Sequence, residues 1–337
     1  MTTTESSRRR TAAGGAALVL LCVLGLGSSR SAADGPAAGP YLLVLGTAQD
    51  GGLPHAACSG PHCSRARRDP GFRRLVASLA LVDPAESPPR VFLIDATPDV
   101  AEQLRLLEPL RPRPPVDPAG RETVDRAPLD GILLTHAHMG HYLGLATFGY
   151  EVVSTHGLPV WTTPRMASYL QHNGPWSQLV DFGNIELRSL APGASVRLTP
   201  RLEVTALAVP HRDELSDTVG FVIAGPSRRV LYVPDTDRWD SWDPPLGERL
   251  EGIDVALLDG TFYSPDELPG RSVEQIGHPL IETTMDLLSE RVAAGSLAVY
   301  FTHLNHSNPA VDPEGPEAAA VRRRGFHVLA DEQRIDL

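Results

Sequence analysis

The sequence predicts a mixed α/β fold in which two β-sheets pack on each other and helices cover them. Three observations lead there. Ten apolar, β-rich runs of four to eight residues recur between residues 41 and 329. Helical patterns interrupt that series only here and there, so strands cluster instead of alternating strictly with helices. The 337-residue chain is 42% hydrophobic and 21% charged, which supplies enough apolar material for a sizeable core. Periodicity alone admits other α/β layouts as well; the clustering favours two packed sheets.

The chain opens with Arg8, Arg9 and Arg10, an apolar run over 16–26 and small residues over 28–33. That order reads as a secretory signal peptide at 1–33, followed by a short linker at 34–40 and one domain at 41–337. The run is short for a membrane span, and an uncleaved anchor is the alternative. Ser7-Arg8-Arg9 would also suit a twin-arginine signal. The expected location is periplasmic or extracellular, with no stable membrane span after cleavage. Cleavage would leave 26 basic against 40 acidic residues, a net charge of −14. So acidic a surface repels polyphosphate backbones, which excludes nucleic acid and points to a small-molecule substrate. No oligomeric state is implied.

In chain order, the first strand is expected at 41–46, where aliphatic residues run up to Gly46. The next two, at 75–82 and 91–94, flank a Pro-rich loop at 84–90. A helix follows at 99–107, then a second Pro-rich segment at 108–128, read as a surface loop because a strand resumes at 131–134. Three further strands, 202–209, 219–224 and 230–233, are rich in Val, Leu, Ile and aromatic residues. Strands at 255–258, 297–301 and 326–329 complete the series, with helices at 279–291 and 315–324; Thr283 and Thr284 weaken the first of these helices slightly. No repeat of fixed period is present.

The strand at 131–134 runs straight into Thr135-His136-Ala137-His138-Met139-Gly140-His141. Past a strand end, residues two apart can turn to one side, and a third histidine opening the next helix can face them. Imidazole is the commonest zinc ligand and suits iron too. Buried together without a metal, such nitrogens would each cost roughly 1–3 kcal/mol unless hydrogen-bonded. His211, Asp235 and His303 each follow a later strand, where loops on a rigid frame collect functional groups.

His-x-His-x-x-His followed by a distant His, Asp and His resembles the metallo-β-lactamase superfamily, and the match runs over about 43–329. The resemblance implies an αββα sandwich of two mixed β-sheets flanked by helices. It implies that His136, His138 and His211 hold one metal, His141 and His303 a second, and that Asp235 bridges them. Zinc is the expected ion, one or two per site, with iron or manganese as alternatives, and a bridging water or hydroxide as nucleophile. This chain departs from the family where an aspartate usually precedes the third histidine and Gly140 stands instead. The second position is therefore expected to bind more weakly, or not at all. Asp50, in Gln49-Asp50-Gly51-Gly52, reads as a turn residue beside glycines, with a replacement carboxylate as the alternative.

Other segments are similar to the coenzyme PQQ synthesis protein B family. They are the stretch from Leu45 to Pro54 followed by Cys58 and Cys63, then Asp259-Gly260-Thr261-Phe262, Ile276-Gly277-His278-Pro279 and His303-Leu304-Asn305-His306. The phosphodiesterases of carbon–phosphorus lyase pathways share part of this plan, including an auxiliary zinc. That resemblance maps a structural zinc onto Cys58, Cys63 and His306, with His55 or His62 as a fourth ligand and Gly60 where a middle cysteine would fall. A Cys58–Cys63 disulfide is the alternative in an oxidising compartment. Asp235 and His278 are the expected catalytic residues, His278 as a general acid at the opening of the 279–291 helix. Asp95 is read as a residue that orients a ligand. His156, His172 and His327 receive no role, and Trp176, Trp239, Trp242 and Phe262 are candidates to line a substrate site or to be ordinary packing.

The leading functional expectation is a metal-dependent hydrolase acting on an ester-type bond, such as a phosphodiester or lactone. The alternatives are an iron-dependent oxidative step in quinone cofactor biosynthesis and a non-catalytic metal or ligand binder.

Overall fold

Strand alternation sorts the apolar residues into three layers. On β3 (Arg90–Ile94), Phe92 and Ile94 face one core while Val91 and Leu93 face another. On β10 (Arg229–Val233), Val230 and Tyr232 join Phe92 and Ile94, whereas Leu231 and Val233 turn to a third cluster. Side chains with period two thus bury both faces of each sheet, and the shared cluster is the interior between them. This is the αββα sandwich expected. The computed structural model describes residues 39–111, 119, 123–268, 270, 275 and 277–337. The signal peptide read at 1–33, all of the linker but residues 39 and 40, and parts of the loop at 108–128 lie outside the described residues.

The first sheet contains β1 (Tyr41–Gly46), β2 (Ser78–Asp83), β3, β4 (Gly131–Leu133), β5 (Leu158–Thr162), β6 (Ile185–Ser189) and β14 (Arg334–Asp336), in the order β14-β1-β2-β3-β4-β5-β6. From β3 to β6 the pairing is parallel. The second contains β7 (Ser195–Thr199), β8 (Leu202–Ala208), β9 (Val219–Ala224), β10, β11 (Val255–Asp259), β12 (Ala298–Thr302) and β13 (His327–Val328), in the order β13-β12-β11-β10-β9-β8-β7. Here β10 to β13 are parallel and β7 to β10 antiparallel.

Helices α1 (Pro61–Arg68), α7 (Ile281–Ala293) and α8 (Pro316–Arg323) cover the second sheet. Ile281, Met285 and Leu288 of α7 share one helical face against it. Helices α2 (Val100–Leu107), α4 (Pro164–His172) and α5 (Trp176–Asp181) cover the first sheet. Thr163 caps α4 by accepting the Met166 amide, and Pro164 occupies its first position. Among the described residues the remaining α-helices are short, α3 (Met139–Tyr142) after β4 and α6 (Leu246–Arg249). No described helix is long and apolar enough to cross a membrane.

All ten expected strand regions contain strands, but four strands were not anticipated: β5, β6, β7 and β14. β5 contains Pro159, while β6 and β7 alternate apolar and polar residues and lie half exposed at sheet edges. Their weak hydrophobicity is the pattern of edge strands that need only one buried face. The helix expected at 279–291 runs instead over Ile281–Ala293, so His278 lies before it, outside its first turn.

Candidate metal centre

Each expected ligand follows the C-terminal end of a strand; β10 and β12 run parallel, and β8, antiparallel to β9, which is itself antiparallel to β10, shares their direction, so those ends gather at one edge of the sandwich. The amide of Val219, which begins β9, donates to the Thr135 carbonyl just past β4 at 3.0 Å and ties the sheets together there. Past β4 come His136 and His138, and α3 carries His141. His211 follows β8, Asp235 follows β10, and His303 follows β12.

Asp235 Oδ2 is the hub of the cluster. It lies 3.1 Å from His211 Nε2, 3.3 Å from His136 Nε2, 3.7 Å from His138 Nδ1, 3.9 Å from His141 Nε2 and 4.0 Å from His303 Nε2. Ligand atoms of His136, His138, His211 and Asp235 all fall within 4.8 Å of one another, and so do those of Asp50, His141 and His303. Two donors each ~2.1 Å from a tetrahedral zinc stand about 3.4 Å apart. In the first group the pairs Asp235–His211, Asp235–His136 and His138–His211 stand 3.1, 3.3 and 3.2 Å apart before any ion draws them in. Moreover, Nε2 of His136, His141 and His303 is buried and makes no hydrogen bond among the described residues. Leaving three such nitrogens unsatisfied would cost roughly 1–3 kcal/mol each. The residues present fit a metal ion.

The other nitrogen of each ring is held by a polar partner, which fixes its orientation. His141 Nδ1 donates to Asp95 Oδ2 at 2.8 Å, and Asp95 Oδ1 also accepts the Thr135 amide at 2.8 Å. Asp95 therefore fixes the orientation of the His141 ring. The Thr135 hydroxyl lies 2.9 Å from His136 Nδ1, the Thr261 hydroxyl 3.0 Å from His303 Nδ1, and Asp237 Oδ1 3.2 Å from His211 Nδ1. Asp95 (φ 65°) and His303 (φ 60°) both sit in the left-handed region. For non-glycine residues that conformation costs ~1–2 kcal/mol, a strain that clusters where function dictates side-chain aim.

Electrostatics match the donor set. Burial would raise the Asp235 carboxyl, but the imidazoles of His303 and His278, with His136 and His138 beside them, hold it well below the usual carboxylate range. Burial pushes His136 far below its ordinary value and lowers His303, keeping both neutral as ligands must be. His141 is opposite: burial would lower it, but Asp95, Asp50 and Asp235 raise it to about 9.

His278 lies just before α7, not at its first turn as expected. Asp259 positions it instead, Oδ2 standing 2.9 Å from His278 Nδ1, and Asp235 Oδ1 lies 3.3 Å from the same nitrogen. Burial would lower this ring, but Asp259 and Asp235 raise it to about 9. The Phe262 ring packs against it at 5.7 Å. His278 also lines a cavity of about 300 Å³ with Arg238, Trp239, Asp240, Pro279, Leu280 and Thr283. A larger cavity of about 940 Å³, bordered by Arg74, Asp99 and Asp331, includes none of the clustered histidines. Trp176, Trp239 and Trp242 are buried in the cores, and of these only Trp239 also borders the smaller cavity.

Cys58, Cys63, His55 and His306 share a corner around α1. The cysteines are unbonded, and the His55 and His306 rings stand 4.4 Å apart. Burial and the neighbouring Cys58 raise the Cys63 thiol. Unlike the strand-end groups, no three ligand atoms of this corner meet within 4.8 Å. Sequence reasoning gave no role to Asp237, Asp259, Thr135 or Thr261, although Asp259 and Thr261 sit in a segment that carried the resemblance. It also placed Asp50 first as a turn residue; Asp50 is in a turn, and its carboxylate joins His141 and His303.

Comparison with known proteins agrees with this architecture. The family model described as beta-lactamase superfamily domain matches residues 90–304, more than half of the chain. Coenzyme PQQ synthesis protein B of Methylorubrum populi is 27% identical over 318 residues, covering 88% of this chain and 100% of the relative. The protein of the same name from Pseudomonas fluorescens is 27% identical over 329 residues, with 88% and 100% covered. Among solved structures, zinc-bound PqqB from Methylobacterium extorquens superposes with a TM-score of 0.70 at 24% identity, covering 88% of this chain and 100% of that one. A diphosphatase of the PhnP family superposes with a TM-score of 0.60 at 20% identity over 88% and 98%. At these identities the structural likeness speaks for the fold, and the matched family model and the strand-end histidines together place the chain within the metallo-β-lactamase superfamily, in a branch resembling coenzyme PQQ synthesis protein B.

Proposed function

We propose that this chain is an exported, zinc-dependent hydrolase of an ester-type bond, a phosphodiester or lactone, in a small molecule. The observation that carries the reading is the convergence of five imidazole nitrogens on Asp235 Oδ2, within 4.0 Å, with His278 alongside. His136, His138, His211 and Asp235 would hold one ion, and His141 and His303 contribute to a second position. Such ions supply Lewis acidity and lower the pKa of a coordinated water towards ~7.

The chain's own residues do the rest. Asp235 stays ionised and joins the two positions. Asp259 holds His278 through Nδ1 and favours its protonated form, so His278 Nε2 is left to hand a proton to a departing oxygen. The cavity of about 300 Å³ beside it is of small-molecule size.

The test is hydrolysis of a panel of model phosphodiesters and lactones by mature, zinc-loaded protein. No turnover on any member at full zinc occupancy overturns the reading. A second reading is favoured by the similarity to coenzyme PQQ synthesis protein B: an oxidative step on a quinone precursor with iron. Elemental analysis showing iron, together with oxygen uptake on quinone precursors, would favour it over hydrolysis.

A further inference from the structure

The loop after β1 lies against the segment after β12. Ala48 bridges Leu304, Gln49 N–H donates to the Leu304 carbonyl at 2.9 Å, and Leu304 N–H donates to the Thr47 carbonyl at 2.9 Å. His303 is the residue before Leu304, so this pairing fixes Asp50 beside it. Asp50 Oδ1 accepts the Gly140 amide at 3.0 Å and lies 3.8 Å from His141 Nε2. Nε2 of His141 and of His303, both fully buried, face this carboxylate without a hydrogen-bond partner among the described residues.

Gly140 and Asp50 exclude one another's alternatives. A Cβ placed on Gly140 would stand 2.1 Å from Asp50 Oδ1 and 2.6 Å from Asp50 Cα. The second contact is with backbone, which a side-chain rotation cannot relieve. The space that a side chain at position 140 would need is therefore filled by a carboxylate from a segment 90 residues earlier.

We propose that Asp50 supplies the carboxylate ligand of the second metal position together with His141, His303 and the shared Asp235, and that glycine stands at 140 because Asp50 occupies the room. The chain has thus moved a metal-binding carboxylate from the histidine motif to the β1 loop instead of losing it. This rests on the reading that the histidine cluster binds metal.

The experiment is zinc stoichiometry by elemental mass spectrometry, with affinities from competition against a chromophoric chelator, on the mature chain and four variants. The wild type is expected to bind two zinc ions. Asp50→Ala and the near-isosteric Asp50→Asn are expected to keep one tight zinc, which reports intact folding through His136, His138 and His211. Their second zinc should bind at least ~10–100-fold more weakly, the loss that disturbing even a supporting residue produces. Gly140→Asp alone should also weaken the second zinc, because its side chain meets Asp50. The double variant Asp50→Gly with Gly140→Asp loses the side-chain clash but keeps the contact with the Cα of residue 50, so it should bind the second zinc more weakly than the wild type. If the wild type and Asp50→Ala bind the second zinc equally, or both bind a single ion, the assignment of Asp50 fails while the metal reading stands. If the wild type takes up no zinc, the metal reading fails and the assignment with it. A Gly140→Asp protein that binds both ions more tightly than wild type would overturn the mutual exclusion.

Discussion

Replacing Asp95 by asparagine changes one atom and, by the geometry of the site, should reverse a tautomer. Asp95 is fully buried at the end of β3; Oδ1 accepts the Thr135 amide and Oδ2 accepts the His141 Nδ1 proton, each at 2.8 Å. An asparagine keeping the Thr135 bond would turn its NH2 towards His141. Nδ1 would then have to accept, and the ring proton would move to Nε2, the atom facing Asp50 and Asp235. A protonated nitrogen cannot ligate, so binding would require two N–H groups to face each other. That forfeits a hydrogen bond to a charged group, about 1.5–3 kcal/mol, or roughly 10–100-fold in zinc affinity. The loss should fall on the position that uses His141 and spare the one that uses His136, His138 and His211. Competition titration with a chromophoric chelator measures the affinities, and nitrogen-15 NMR of the imidazoles, recorded above the His141 pKa of about 9, identifies the tautomer of the neutral ring in metal-free protein. Unchanged affinity at both positions, or a His141 that keeps its proton on Nδ1, would refute the reasoning.

Three further outcomes follow from the structure. His278→Gln should lower kcat by about 10²–10⁴-fold on esters with a poor leaving group, and much less on activated aryl esters whose leaving group needs no proton; an equal loss on both would remove the general-acid role. Asp83 is buried and accepts from Arg201 and from Thr199 at 2.5 Å; burial would raise its carboxyl, but these bonds win and hold it below the usual range. A lowered folded pKa contributes stability above the unfolded value of ~3.9 that is lost as pH falls through the folded value. Asp83→Asn should therefore cost about 1.5–3 kcal/mol at pH 7 and much less near pH 2 in urea unfolding, and an equal cost at both pH values would contradict this. The Tyr232 hydroxyl is buried without a hydrogen-bond partner among the described residues. Tyr232→Phe should leave thermal stability unchanged or raise it, since an unsatisfied group costs about 1–3 kcal/mol; a clear fall in Tm would show that the hydroxyl has a partner.

Much of the site was legible because its signals are local. His136, His138 and His141 stand within six residues of one another, and His211, Asp235 and His303 each follow an apolar strand whose direction places them at one edge. The continuous apolar strands β1, β10, β11 and β12 were equally plain, since burial on both faces leaves no polar interruption. Edge strands β6 and β7 were not, because one solvated face dilutes the signal to short alternation. Asp259 and Asp237 show why the supporting residues escaped: an aspartate beside a strand end looks the same whether or not a histidine from elsewhere meets it.

By itself the sequence determined the superfamily, the layered α/β class and the histidines and aspartate that gather at the strand ends, all of which depend on short-range pattern and residue chemistry. Only the tertiary structure decided which strands neighbour one another, that Asp259 and not a helix terminus holds His278, and that Asp50 fills the room above Gly140. These are contacts between segments far apart in the chain, and their free energy is realised only after both sheets have packed.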